Sequence, residues 1–231
     1  MIDLDEILAA IHNLDGLISQ SQTDIPSLEA LIMLASLRSY ARPALSAADA
    51  VTEKLRAKEL YERVMKVLDS PSFVADSSKQ HQSSRAVKSV LHLADDLDMY
   101  VEIAGLWQRD NLERTGKALK DAVRVNNAKA KSASASTLYV STPKLLNNLA
   151  AVRHIEGSFA EARALYEEAL PSALAEGTID SEASSVTILY NLARVYEDLA
   201  EHNMARDAYL KLLGRHPEYV DGALDMISNV L

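Results

Sequence analysis

Residues 142–170, TPKLLNNLAAVRHIEGSFAEARALYEEAL, set beside residues 186–217, VTILYNLARVYEDLAEHNMARDAYLKLLGRHP, repeat one pattern. Both contain Asn-Leu-Ala, at Asn148-Leu149-Ala150 and at Asn191-Leu192-Ala193. Ala162 follows Leu149 by thirteen residues, and Ala205 follows Leu192 by the same interval. Tyr166 then answers Tyr209, and Ala169 answers Leu212. The pattern suits two antiparallel helices joined by a short turn. A small residue on each helix, Ala150 with Ala162 and Ala193 with Ala205, lets the backbones approach, and large residues one turn away fill the space around the crossing. Gly157 falls where the first pair must turn, and Pro217 ends the last helix because it lacks an N–H. Pro171 is expected to kink its helix or end it at Leu170.

The rest of the composition agrees with a helical chain. Ala, Leu, Glu and Lys dominate its 231 residues, with only 7 Gly and 6 Pro, and β-branched runs of strand length are nearly absent. There is no Cys, which excludes a disulfide framework, a thiolate zinc site and a cysteine nucleophile. No stretch approaches the roughly 18 apolar residues of a membrane span, and no signal-peptide pattern opens the chain. A net charge of −9 disfavours direct binding of nucleic acid; it either suits protein partners with basic segments or simply keeps the chain in solution.

The repeated pair resembles the tetratricopeptide repeat, a helical hairpin with a period of about 34 residues. The second copy carries the repeat positions at Leu189, Leu192, Ala193, Tyr196, Ala205, Tyr209 and Pro217, departing where Leu189 replaces Trp and Leu212 replaces Ala. In the first copy Arg153 stands where Tyr or Leu is usual, and the closing Pro is missing. Leu149 and Leu192 are 43 residues apart, so the first copy's second helix or its exit loop is extended.

The N-terminal half carries the same grammar more faintly. Leu34-Ala35 opens one pair, completed by Ala57, Tyr61 and Val64; Ile103-Ala104 opens another, with a weak second helix over 117–125. Residues 3–19 read as an unpaired second helix at the start, and 219–230 as an unpaired first helix at the end. The expected architecture is therefore an all-α tetratricopeptide-repeat solenoid of about ten antiparallel helices. Residues 1–125 hold degenerate repeats with a Ser/Gln-rich insertion at 69–84. Residues 126–142 form a linker, and 143–231 hold two clear repeats plus the unpaired helix. Ala223, Leu224, Ile227, Val230 and Leu231 make that last helix apolar on one face, which predicts a chain cut from a longer protein.

A more specific resemblance rests on four motifs. They are LLNNLAAVRH at 145–154, GSFAEA at 157–162, SVTILYNLARVYE at 185–197 and HPEYVD at 216–221. Together they are similar to the large tetratricopeptide subunit of the RNA polymerase II-associated factor (Paf) complex. The resemblance implies a nuclear scaffold of transcription elongation that binds other subunits of the complex, touches RNA polymerase II indirectly and supports histone modification. The alternative is a peptide-binding module of another pathway, of co-chaperone or adaptor type.

No chemistry-bearing constellation competes with these readings. Asp95, Asp96 and Asp98 read as a helix N-terminus, where carboxylates satisfy free N–H groups. The six histidines, His12, His81, His92, His154, His202 and His216, include no helical pair at zinc spacing. No phosphate-cradling loop or nucleophile motif occurs. The sequence predicts no enzyme, no cofactor, no metal, no direct nucleic acid and no membrane. The candidate partner-binding face is on the first helices, the concave side of such a fold: Lys144, Asn147, Asn148, His154, Tyr190, Asn191 and Arg194. There Asn side chains either bond a peptide backbone or tie neighbouring helices together.

Overall fold

The computed structural model describes residues 3–20, 24–70, 97–131, 142–175 and 179–217. Among them are nine α-helices and no strand. We number them α1 (Leu4–Gln20), α2 (Asp24–Ala41), α3 (Ala47–Leu68), α4 (Leu97–Trp107), α5 (Leu112–Lys131), α6 (Thr142–Ile155), α7 (Phe159–Ala175), α8 (Ile179–Asp198) and α9 (His202–Arg215). A 3₁₀ turn at Arg42–Ala44 follows α2. The fold is an all-α helical-repeat solenoid. The chain divides into two compact units at Trp107 and Gln108, between the two helices that the pattern around Ile103-Ala104 pairs.

In the first unit α2 packs on α1, α3 and α4. Leu34, Ala35, Ala57, Tyr61 and Val64 are all buried, so the faint N-terminal pattern does mark a helix pair. Ser46 caps α3, its side chain accepting the Asp49 N–H. Two polar clusters tie the helices. Arg38, buried on α2, reaches Glu53 on α3 at 2.5 Å and Asp15 on α1. Glu102 on α4 accepts hydrogen bonds from Ser36 on α2, at 2.9 Å, and from the Tyr61 hydroxyl on α3.

In the second unit each helix from α5 to α9 packs on the next, and α6 also touches α8. This is the neighbour-only contact pattern of a stacked repeat. Ala150, Ala162, Tyr166, Ala169, Leu192, Ala193, Ala205 and Tyr209 lie in one buried cluster. The 43-residue offset is explained by helix length. α7 runs 17 residues and α8 runs 20, against 14 in α6 and α9, so most of the excess is helix and not loop.

One open expectation is narrowed and one boundary is corrected. Of the two outcomes expected at Pro171, a kink or an end at Leu170, the end does not occur: α7 passes through Pro171 to Ala175. The ring removes one backbone donor, yet Ala169 and Ala173 on either side are buried in the core, and that packing outweighs the missing bond. The linker does not begin at 126. α5 continues to Lys131, because Asn126 is fully buried and its amide donates to Thr142 Oγ1 at 2.8 Å, fastening α5 to the start of α6. Asp69 and Ser70 follow the end of α3. The rest of the 69–84 insertion and the helix expected at 219–230 lie outside the described residues.

Candidate partner-binding face

Seven residues are two helical turns, so Asn147 and His154 share a face of α6, as Asn191 and Asp198 do on α8. The two faces meet. Asn191 Nδ2 donates to Asn147 Oδ1 at 3.2 Å, and His154 Nε2 lies 2.6 Å from Asp198 Oδ2. Both contacts span 44 residues, one more than the repeat offset, so adjacent first helices meet with a one-residue shift. Asn147 Nδ2 extends the chain to Asn148 Oδ1 at 3.4 Å. The His154 ring stands edge-on to Phe159 at the start of α7, with centroids 5.6 Å apart.

The proposed tie between neighbouring helices is therefore real, but it runs from Asn191 to Asn147. Asn148 is exposed and, among the described residues, accepts only from its neighbour Asn147 on the same helix. Lys144 is exposed in the first turn of α6. On α8, Tyr190 and Arg194 are one turn apart and exposed. Arg194 Nε lies 3.2 Å from Glu197 Oε2, and the Tyr190 ring meets the buried Tyr209 ring edge-on at 6.5 Å. Burial opposes the Arg194 charge, while Tyr190, Glu197 and Tyr209 more than restore it, so its pKa is raised. The face thus mixes fixed amides, one aromatic ring, two cations and the Asp198 carboxylate. It can hydrogen-bond an extended backbone and hold an apolar or acidic side chain; it places no nucleophile beside a base.

Sequence reasoning missed Asp198: the repeat offset of 43 leads from His154 to Glu197, and only the one-residue shift between α6 and α8 leads to Asp198. Arg153 is explained by its surroundings. It replaces the Tyr196 of the next copy and lies over Gly116 of α5, where a Cβ would sit 3.2 Å from its guanidinium. Glu156 at 2.5 Å and Glu161 at 3.1 Å hold it there. The equivalent Tyr196 bonds Glu167 of α7 at 2.8 Å. Among the described residues no group of acidic or His side chains has the form of a metal site, and no helix is long and apolar enough to cross a membrane. Asp98 is in the first turn of α4, as its reading as a helix start requires; Asp95 and Asp96 lie outside the described residues.

Helical hairpins repeated at this spacing, with small residues at each crossing and a polar face shared by the first helices, are the arrangement of the tetratricopeptide repeat. The family model for the tetratricopeptide repeat matches residues 141–217, the span of both clear copies. Proteins built on this repeat are generally non-catalytic and mediate protein–protein interaction. The chain is 29% identical over 132 residues to tetratricopeptide repeat protein 1 of Schizosaccharomyces pombe, a match covering 56% of this chain and 11% of that much longer protein. Its fold is similar to that of BtubC (BKLC) from P. vanneervenii, with a TM-score of 0.52 at 15% identity, over 98% of this chain and 78% of the other.

Proposed function

We propose that this chain is part of a nuclear scaffold subunit of a transcription-elongation complex acting on RNA polymerase II and chromatin, with no catalytic role. The observation that carries the reading is the run of motifs at 145–154, 157–162, 185–197 and 216–221. These are longer and more particular than the repeat consensus demands. Asn147, His154 and Asn191, which the consensus leaves free, join neighbouring helices here. A scaffold of this kind buries an extended partner segment over several repeats.

A second reading is favoured by the exposure of Lys144, Asn148, Tyr190 and Arg194 on adjoining helices. Such a face suits capture of a short peptide by an adaptor or co-chaperone type of module.

Affinity capture from nuclear extract, read by mass spectrometry, separates the two. The scaffold reading expects polymerase-associated subunits to be enriched with the wild-type chain. It expects them to be depleted with Asn148→Ala/Tyr190→Ala/Arg194→Ala. Enrichment of chaperones or motor proteins in their place, lost with the same variant, would overturn it in favour of the module.

A further inference from the structure

The chain is acidic, but α5 is not. Its sequence, LERTGKALKDAVRVNNAKAK, holds six Lys or Arg against two Asp or Glu, a net charge of +4 inside a chain of −9. The buried side of the helix carries Thr115, Ala118, Leu119, Ala122 and Val125. Lys117, Lys120 and Arg124 recur at three- and four-residue intervals and are exposed, so they form one cationic stripe. The acidic residues of the helix are Glu113, a turn before Lys117, and Asp121, whose carboxylate lies 3.5 Å from Arg124. Complementing the helix dipole accounts for cations in the last turn, but not for Lys117 and Lys120 well upstream.

We propose that this stripe docks an acidic segment of a protein partner, a short run of Asp or Glu laid along the outer side of α5. From Lys117 to Arg124 the helix rises about 10 Å, the length of about three residues of extended chain. That span suits a short carboxylate run. A long polyanion such as nucleic acid would overrun the stripe onto a remainder that carries 31 acidic against 18 basic residues, and repulsion there removes what the stripe supplies. The site is on a different helix from the face shared by α6 and α8, and it stands whether or not that face serves an elongation complex.

The test is fluorescence anisotropy with a labelled Glu/Asp-rich peptide at about 50 mM salt, repeated at about 300 mM, where screening shortens the reach of exposed charges. Binding is expected at low salt and should weaken roughly tenfold in Lys117→Gln/Lys120→Gln/Arg124→Gln. Lys66→Gln/Lys211→Gln/Arg215→Gln, which removes the same charge from exposed positions elsewhere, should bind as wild type. Circular dichroism checks that both variants keep their helices. Equal weakening in both, no binding by wild type, or tighter stripe-dependent binding of a single-stranded oligonucleotide than of the peptide would each overturn the proposal.

Discussion

Gly157 and Ala200, 43 residues apart, occupy the same left-handed backbone position in successive turns, at φ 78° and 57°. The hydrogen bonds around them match. Gly157 N–H reaches His154 O and Ser158 N–H reaches Arg153 O, just as Ala200 N–H reaches Glu197 O and Glu201 N–H reaches Tyr196 O. The turn geometry is a property of the hairpin, and only one copy uses the residue suited to it. A Cβ in this conformation costs about 1–2 kcal/mol, partly offset by the greater freedom of Gly in the unfolded chain. Ala200→Gly should stabilise the protein by about 0.5–1 kcal/mol and Gly157→Ala should destabilise it by a similar amount. Chemical denaturation measures both. Shifts of the same sign would show that the two turns are not equivalent.

The helix crossings make a second prediction. Ala193 and Ala205 have no exposed surface, whereas Ala164 on α7 faces solvent. Leu at either buried position inserts three heavy atoms into a filled site, costing about 1–3 kcal/mol or more. Leu at Ala164 should leave stability within about 0.5 kcal/mol of wild type. Melting temperatures that fall equally in all three variants would place the crossing elsewhere.

Three core tyrosines differ in what their hydroxyls meet. Tyr196 donates to Glu167, whereas the buried Tyr166 hydroxyl has no hydrogen-bond partner among the described residues. Tyr196→Phe should cost about 1 kcal/mol at neutral pH, and Tyr166→Phe should cost nothing or stabilise. Burial pushes the Tyr166 hydroxyl up to about 12 from an ordinary value of 10, and burial also raises Tyr196 and Tyr209. Between those values the unfolded chain has lost protons that the folded chain keeps. Stability is therefore full below pH 10 and falls as pH rises towards 12, by at most about 2–3 kcal/mol for Tyr166. Tyr166→Phe should flatten that decline in a denaturant titration across the range. An unchanged slope would mean Tyr166 is solvated.

How much of this was legible follows from what each residue answers to. The buried Ala and Tyr positions recur because a helix crossing demands small and large residues at fixed intervals, so the repeat could be read from one sequence. At Pro171 the sequence leaves open a kink or an end, because backbone chemistry is local while the packing of Ala169 and Ala173 is not. Asn126 is obscured for a similar reason, since its polar run reads as linker until Thr142 is brought beside it. Of the candidate face, Asn147, Asn191 and His154 meet neighbours, but Asp198 was invisible until the one-residue shift between α6 and α8 was known. The Arg38 and Glu102 clusters join residues 15 to 66 apart in a degenerate half, where no repeat carries the eye from one partner to the other.

The Arg38 cluster makes the last prediction, because its two acids differ in burial. Arg38 is 4% exposed, and its partner side chains are 12% exposed at Glu53 and 48% at Asp15. Burial lowers the Arg38 pKa, but hydrogen bonds and charge from Glu53 and Asp15 outweigh it and leave the guanidinium firmly charged. Arg38→Met removes the cation and strands the Glu53 carboxylate in a buried site, leaving Arg56, 3.0 Å away and largely exposed, as its neighbouring charge. Removing one member of such a buried pair costs about 3–5 kcal/mol. Asp15→Asn acts where water already screens the charge, and exposed pairs contribute about 0–1 kcal/mol. Replacing Arg38 and Glu53 together by Met and Leu should recover most of the loss, since the penalty lies in the unpaired charge and not in the absence of the pair. Equilibrium unfolding of the three variants decides the matter. A double variant no more stable than Arg38→Met would show that the guanidinium holds α1, α2 and α3 together by more than its charge.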